Sequence, residues 1–510
     1  MSETPEAQAS QDDLYIAVDL GAGSGRVFLV GFGDDELLFD ELLRFQYPPV
    51  KKAGHFRWDF ARIFDEITRG LKTAGQQAEN LARLVRSVAI DSWGVDYGLI
   101  DAGGRLLTDP ICYRDDRTQG TIERVFAIVS RSELFAKTGI QFLHFNTIYQ
   151  LHSESTELQK IKTFLLIPDL INYFLTGSVS AEYTNATTTQ LLNVQTKNWD
   201  REIIERIGLP PHLFPKVVDA GTDLGLLKSE FANSTALSKT RVVATASHDT
   251  ASAVAAAPIE GDWAYISSGT WSLIGIERTD VLINEDVARH NFTNEGGAFG
   301  TIRFLKNVMG LWIYESCRNE WRSKGVEIDR DEIIENVLSI DDFSGFIFPD
   351  DERFLNPESM LDAIATQMSE TGQRFDSDPV IVTKIIFDSL AFRYTSVLRI
   401  IESLTGTILK GVQIVGGGGR NEYLNQRTAD ACGLTVQAGL FEATAMGNAA
   451  VQAISSGRFG SLLEARNYIK DHTSLKTYLP RTSPQLAKAA KRYRDIEAAF
   501  VSERAFTSDL

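Results

Sequence analysis

From Leu14 to Asp19 the chain is apolar up to its last residue, turns through Gly21-Ala22-Gly23-Ser24-Gly25, and alternates again from Arg26 to Val30. Two such runs about a glycine-rich turn predict a β-hairpin. A further strand over Glu36 to Phe45, an amphipathic helical pattern from Asp59 to about Thr73 and a buried strand from Ser87 to Ile90, ending at Asp91, complete the first stretch. Near the middle, Val242 to Ala246 reads as a strand, Ser247-His248-Asp249 as a turn and Thr250 to Ala257 as a helix of small residues. After the linker-like Pro258-Ile259-Glu260-Gly261-Asp262, the strand Trp263 to Ile266 meets the tip Ser267-Ser268-Gly269-Thr270 and returns over Trp271 to Ile276.

A strand, a glycine and hydroxyl tip and a returning strand thus occur twice, about 250 residues apart. That distance suggests two related lobes, not a solenoid, whose units recur every few tens of residues. Glycine-containing hairpins are also common in mixed proteins, so spacing alone leaves both readings open. The last third is α/β. Val382, Ile386, Leu390, Tyr394, Val397, Ile401 and Leu404 form the stripe of a long helix closed by Gly406. The strand Val412 to Val415 then enters Gly416-Gly417-Gly418-Gly419. A helix from Asn421 to Cys432, stopped by Gly433, a strand from Leu434 to Ala438 and a small-residue helix from Glu442 to about Ser455 follow.

Length and charge narrow the function. At 510 residues the chain fits two domains of ordinary size, divided here as a tail at 1–13, a lobe at 14–257 and a lobe at 258–510. A net charge of −17 opposes a polyanionic partner, because nucleic-acid binding rests on Lys and Arg neutralising phosphates. An acidic protein still binds a nucleotide where backbone N–H groups, a magnesium ion and a few local cations replace a positive surface. Cys112, Cys317 and Cys432 have no CxxC spacing, which fits a reducing cytoplasm. The segment MSETPEAQASQDD lacks signal-peptide order, and no apolar run reaches about 18 residues, so neither secretion nor a membrane span is expected.

Four segments carry candidate chemistry. Asp19 ends a strand beside the first glycine tip, whose N–H groups, with Ser24 and Arg26, suit phosphate oxygens. A carboxylate there suits magnesium held through water, and equally suits a turn cap. The glycine spacing is not that of a P-loop. Asp249, beside His248, is placed either as the general base that takes a proton from an attacking alcohol or as the N-cap of the next helix, and both roles can hold at once. Asp91-Ser92-Trp93-Gly94-Val95-Asp96-Tyr97 mixes carboxylates with an aromatic, as a sugar site does, though a strand end with an edge Trp reads the same way. Tyr113-Arg114-Asp115-Asp116-Arg117 is a charge cluster open to a functional or a solvated ion-pair reading.

In order along the chain, DLGAGSGR, DSWGVDYGLID, YRDDRT, GIQFLHFNTIYQL, EYTNATTTQLLN, SHDTASAV, SSGTWSL, NEGGAFG, LKNVMGLW and IVGGGGRN resemble the FGGY carbohydrate kinases, and within that family its rhamnulokinase group. The resemblance runs from about Tyr15 to the 470s. It implies an α/β fold of two ribonuclease H-like lobes, of the actin, hexokinase and heat-shock-70 superfamily, with a central cleft. It further implies a cytoplasmic ATP- and magnesium-dependent kinase, monomer or homodimer, acting on a small ketose such as L-rhamnulose. By the same resemblance Ala22, Gly23, Ser24, Gly25 and Arg26 form a phosphate turn, Thr270 a second, and Gly417 and Glu315 contact ATP. Gly94, His248, Asp249, Thr250 and Asn307, with Trp93 and Asp96 from the residue reading, line the sugar site, Asp249 being the base and Asp19 the metal residue. Ala22 stands where many family members have Thr, Gly23 where the group has Ser, and Glu315, an acceptor only, where relatives carry Gln. The alternatives are another ketose (L-fuculose, L-xylulose or a pentulose), a non-catalytic nucleotide-binding member of the superfamily, and a nucleotide hydrolase.

Overall fold

The structure is a computed structural model describing residues 13–154, 158–232, 235–259 and 261–507, with side chains described to Val501. The tail read at 1–13 lies outside the described residues apart from Asp13. The chain packs as two compact units. The first comprises residues 1–258, 277–304 and 442–472, and the second residues 259–276, 305–441 and 473–510. The division read near 257 follows the chain, whereas the packing also carries 277–304 and 442–472 into the first unit.

In the first unit the strands stand in the order Thr222–Leu226, Arg241–Ala244, Val85–Ser92, Leu14–Gly21, Ser24–Phe32, Leu37–Gln46. Along that order the first pair is antiparallel, the next two are parallel and the last two antiparallel. The strand Leu14–Gly21 is buried on both faces over nearly its whole length, which is why it reads as a continuous apolar run. The helix Phe60–Asn80 begins where Asp59 accepts the Arg62 N–H at 3.1 Å. It runs past Thr73 to Asn80 because Ala74, Gly75 and Ala78 continue the buried face with small side chains.

The second unit repeats the scheme. Strands Lys476–Tyr478, Thr435–Leu440, Gly411–Val415, Trp263–Ser268 and Trp271–Arg278 stand side by side in that order. Their pairings run antiparallel, parallel, parallel, antiparallel, the succession of the first sheet. The two glycine-tipped hairpins therefore hold equivalent places in two related sheets, which decides between duplication and coincidence. The long helix is Pro379–Thr405, with Asp378 capping its start, Pro at its first turn and Gly406 in the left-handed conformation at its end.

Close helix packing explains the small-residue segments. Helices Asp249–Ala256 and Ala443–Ser455 pack against one another in the first unit, and a Cβ on Gly447 would stand 1.8 Å from the Ser252 carbonyl oxygen. Alanines 220, 246, 251, 255 and 298 with Val451 make a core cluster there. In the second unit Phe346, Phe392, Ala489, Tyr493 and Ile496 make another, anchoring the helix Pro484–Thr507.

Candidate active site

The first hairpin turns at Ala22-Gly23, where Gly23 takes φ +138°, a backbone conformation that L side chains rarely adopt. Tyr47 clamps this tip: its hydroxyl donates to the Gly21 carbonyl at 2.6 Å and its N–H to the Gly23 carbonyl at 2.9 Å. A Cβ on Gly25 would strike the Phe45 ring at 2.5 Å, so the glycine lets that ring close over the strand. Arg26 stands opposite Asp19 in the ladder, pairs with its carboxylate at 2.7 Å and also pairs with Glu442. Asp19 in turn lies level with Asp91 on the adjacent parallel strand. Burial pushes the Asp19 carboxyl up to about 6 against the pull of Arg26, with the charges of Asp249 and Glu442 adding to the rise. Burial, then Asp19, raises Asp91, while a hydrogen bond from Asn448 at 2.5 Å opposes the rise.

The Ser247-His248-Asp249 turn sits at the carboxyl ends of these parallel strands, where ligands of open α/β sheets bind. The Ser92 N–H donates to the Ser247 carbonyl at 2.9 Å, and Ser92 and His248 form a parallel bridge. Asp249 is the first residue of the helix Asp249–Ala256, while His248 occupies the N-cap position with no side-chain cap bond. The simple cap reading of Asp249 therefore does not hold. Its Oδ1 accepts from the Thr250 N–H at 2.6 Å and the Thr250 hydroxyl at 3.2 Å, and its side chain retains 29% of its exposure. His248 Nε2 lies 3.5 Å from Asp249 Oδ1.

Glu182, fully buried, holds this turn from behind. Its carboxylate accepts from the Ser247 N–H (3.0 Å) and hydroxyl (2.7 Å), and from Thr184 N–H (3.0 Å) and hydroxyl (2.5 Å). The Thr184 hydroxyl oxygen accepts the His248 N–H at 3.2 Å. Glu182, Glu295 and Arg303 were not singled out by sequence reasoning, because Glu182 meets Ser247 65 residues on and Arg303 meets His248 55 residues back. EYTNATTTQLLN contains Glu182 and NEGGAFG contains Glu295, as whole segments, whereas Arg303 lies in no segment that sequence reasoning singled out.

In the segment Asp91 to Tyr97, Trp93 is 5% exposed, packs on Trp58 at 4.6 Å between ring centroids and donates its indole N–H to Asp96 at 2.9 Å. Asp96 also accepts from Trp58 Nε1 (2.7 Å), the Tyr113 N–H (3.1 Å) and Gln150 (3.3 Å). Its carboxylate is spent inside the protein. Gly94 has no room for a side chain, because a Cβ there would meet the Thr188 hydroxyl at 2.9 Å. Val95 takes φ +70°, costly for a β-branched residue at about 1–3 kcal/mol. It is held there because its N–H donates to the Thr188 hydroxyl at 3.3 Å while Thr147 donates to its carbonyl at 2.7 Å. Arg117 of the charge cluster pairs with Glu154 and donates to Gln150, so it belongs to this internal network.

The second unit carries the other expected residues. Thr270 lies at the tip of the second hairpin, and its carbonyl accepts from the N–H groups of Gly310 (3.1 Å) and Trp312 (3.2 Å). In the glycine run Gly416 takes φ +84°, Gly418 lies on Ser268 and Gly417 is open, with nothing within 4 Å of an added Cβ. Glu315 is in the first turn of the helix Trp312–Ser323, its charge offset by Arg318 at 2.9 Å and Arg330 at 2.7 Å. Asn307 is half-buried on the strand Ile302–Met309.

The family model described as the FGGY family of carbohydrate kinases, N-terminal domain, matches residues 14–256, and its C-terminal counterpart matches residues 264–456. The chain belongs to the FGGY family of carbohydrate kinases. It is 40% identical over 472 residues to a rhamnulokinase of Bacteroides thetaiotaomicron, covering 92% of this chain and 96% of the relative. A rhamnulokinase of Bacillus subtilis is 38% identical over 470 residues, 92% and 96% of the two chains. Among solved structures, a gluconate kinase from Lactobacillus acidophilus superposes with TM-score 0.76 at 16% identity over 97% of this chain and 98% of that one. A xylulose kinase from Rhodospirillum rubrum superposes with TM-score 0.77 at 16% identity over 96% and 99%. The fold is thus the two-lobed α/β fold of FGGY kinases, and the protein is an ATP-dependent sugar kinase. Among the described residues no helix is long and apolar enough to cross a membrane, and the three cysteines are buried and free.

A pH dependence follows from Asp96. Burial raises its carboxyl to about 6, against the three donors Trp58, Trp93 and the Tyr113 N–H. The folded kinase then holds this proton more tightly than the unfolded chain, whose Asp titrates near 3.9, so the contribution is fully present below about 4 and is lost as pH rises through about 6. The loss amounts to about 3 kcal/mol. Asp96→Asn removes it, so the stability of the variant relative to wild type is expected to rise between pH 4 and 6.5 in denaturant titrations. A difference that stays flat across that window refutes the assignment.

Proposed function

We propose that this FGGY kinase transfers the γ-phosphoryl group of ATP to the 1-hydroxyl of L-rhamnulose, giving L-rhamnulose 1-phosphate and ADP. The observation that carries the mechanism is the Asp249 carboxylate, partly exposed at the carboxyl ends of the parallel strands on a turn held from behind by Glu182. Asp249 accepts the hydroxyl proton as the sugar oxygen bonds to phosphorus and the bond from phosphorus to the ADP oxygen breaks. His248, Thr250, Gly94 and Asn307 bind the sugar. Trp93 offers it an apolar surface, and Asp96 acts through Trp93 by fixing its ring. The tip Ala22 to Arg26 and Thr270 hold phosphate oxygens, Gly417 lets adenosine approach the backbone, and Glu315, offset by its two arginines, contacts the nucleotide.

The residues present also fit magnesium. Asp91 Oδ1 is buried without a hydrogen-bond partner, and level with it on the adjacent strand stands the Asp19 carboxylate, whose Oδ2 pairs with Arg26 at 2.7 Å. Among the described residues no group of three or more acids, His or Cys is placed to hold a metal ion. A magnesium ion that keeps its waters and arrives on the nucleotide needs only one or two such carboxylates, and it neutralises charge on the β- and γ-phosphates. Asp19→Ala is expected to raise the magnesium concentration for half-maximal rate about 10- to 100-fold, the usual range for an outer-shell partner, with ketose affinity unchanged. Lost ketose affinity with an unchanged magnesium requirement would overturn this role.

The substrate rests on the likeness to rhamnulokinases over most of the chain and on the sugar-side segments DSWGVDYG, GIQFLHFNTIYQL and EYTNATTTQLLN. A 6-deoxyketose presents a methyl group for apolar contact and hydroxyls for paired donors and acceptors. The test is ADP release with a ketose panel. L-rhamnulose is expected to lead, with L-xylulose within about 10- to 200-fold because a missing methyl group separates substrates by only that much, and with L-fuculose, which keeps the methyl group and differs in a hydroxyl stereocentre, also below it. A pentulose ahead of L-rhamnulose by about tenfold or more in kcat/KM would remove the substrate and leave the kinase.

A further inference from the structure

His248 touches a second pair of charged residues that the phosphoryl transfer above does not use. Arg303, with no exposed surface, points its guanidinium Nη2 at His248 Nδ1 across 2.9 Å. The same Nη2 pairs with Glu295 at 3.0 Å, and Arg303 Nε donates to the Gly296 carbonyl at 2.9 Å. Glu295 and Gly296 lie on the strand Thr293–Gly296, and Arg303 on Ile302–Met309. Gly296 is itself fixed, since its N–H donates to the Thr187 hydroxyl at 3.0 Å and an added Cβ would strike the Tyr183 ring at 2.5 Å. The guanidinium is therefore held in place before it meets the imidazole.

Arginine only donates and stays charged, so the imidazole nitrogen facing it at 2.9 Å has to be an acceptor. A protonated Nδ1 would set two N–H groups against each other. Glu295, an acceptor beside Nδ1, stands further off at 3.4 Å and is already paired with Arg303. The proton of the neutral ring then belongs on Nε2, the side of Asp249, where 3.5 Å to Oδ1 is too long for a strong bond and leaves that N–H for another oxygen.

We propose that Arg303 and Glu295 are positioning residues that lock His248 as the neutral Nε2–H tautomer, making it a hydrogen-bond donor to a sugar oxygen and leaving Asp249 as the only proton acceptor. The sugar-facing part rests on the reading of His248 as a sugar ligand. The tautomer part does not.

The test is 15N spectroscopy of the full-length protein labelled at histidine. The chain has seven histidines, and the His248 signals are assigned by their loss in His248→Gln. In wild type at neutral pH we expect a pyridine-type Nδ1 and a pyrrole-type Nε2. A protonated Nδ1, an imidazolium or a rapidly averaged pair of tautomers overturns the proposal, and this measurement needs no variant of Arg303 to fold. In Arg303→Met the lock is removed: averaged tautomers, ketose binding weakened roughly tenfold and unchanged nucleotide binding are expected, with Arg303→Lys restoring part of the loss. Unchanged ketose affinity in an Arg303→Met protein with averaged tautomers overturns the positioning role. A wild-type spectrum as expected, in a protein that turns over no ketose, would sink the substrate assignment and leave the tautomer lock standing.

Discussion

Asp249→Asn is expected to lower kcat for ketose phosphorylation roughly 100- to 10,000-fold while leaving the dissociation constants for ketose and nucleotide within a few-fold of wild type. The substitution keeps size and shape, and the amide oxygen can still accept from the Thr250 N–H and hydroxyl that now meet Oδ1. What it loses is the capacity to take a proton from the attacking hydroxyl. His248 cannot replace it if its free Nε2 already carries a proton. A structural role predicts a different outcome. Because His248, not Asp249, occupies the N-cap position, any destabilisation of the helix should stay near 1 kcal/mol or below. Equilibrium unfolding combined with single-turnover phosphorylation separates the two. A folded Asp249→Asn protein with near-normal turnover would show that another group takes the proton.

The parts of this fold that were legible in the sequence are those whose cause is local. Both hairpins were readable because alternation and a glycine tip act over about ten residues, and helix ends at Gly406 and Gly433 because a left-handed C-cap is a one-residue requirement. Packing across the chain was not readable. The helix Ala443–Ser455 was recognisable as small-residue, yet its place against Asp249–Ala256 in the first unit depends on Gly447 meeting Ser252, nearly 200 residues away. Glu315 shows the same limit. Its identity as an acceptor was plain, but the two arginines that offset its charge became apparent only in the structure.

The site divides along the same line. Asp19 and Asp249 stood out because a carboxylate at a strand end or beside a glycine turn is unusual locally. Asp96 looked like a sugar acceptor by the same logic, and the structure instead spends it on Trp58, Trp93, the Tyr113 N–H and Gln150. Composition of a segment indicates which chemistry is available there. Which partner takes each polar atom is settled by tertiary contacts, and so the residues that orient the turn went unseen.

Glu182 is the strongest case, and Glu182→Ala is expected to destabilise the first unit by about 3–4 kcal/mol and to abolish measurable turnover. The carboxylate is fully buried and accepts from the N–H and hydroxyl of both Thr184 and Ser247. Its removal strands these donors where water has no access, and each buried donor left unsatisfied costs about 1–3 kcal/mol, part of which rearrangement of the two hydroxyls recovers. For a unit of this size that is a fall of roughly 4–6 °C in Tm. Glu182→Gln isolates the catalytic part. The amide keeps the volume and one acceptor oxygen, but wherever its NH2 points it meets a donor from Ser247 or Thr184. The turn carrying His248 and Asp249 then loses its fixed position, and a displacement of about 1 Å costs about 100-fold in rate. Scanning calorimetry and steady-state kinetics on both variants check this directly. The expected pattern is a large fall in Tm for Ala, a small one for Gln, and a kcat loss in Gln out of proportion to its stability. If Glu182→Gln turned over ketose at the wild-type rate, Glu182 would be a residue of the core alone, and the orientation of Asp249 would have to be credited to Ser92 and Thr184.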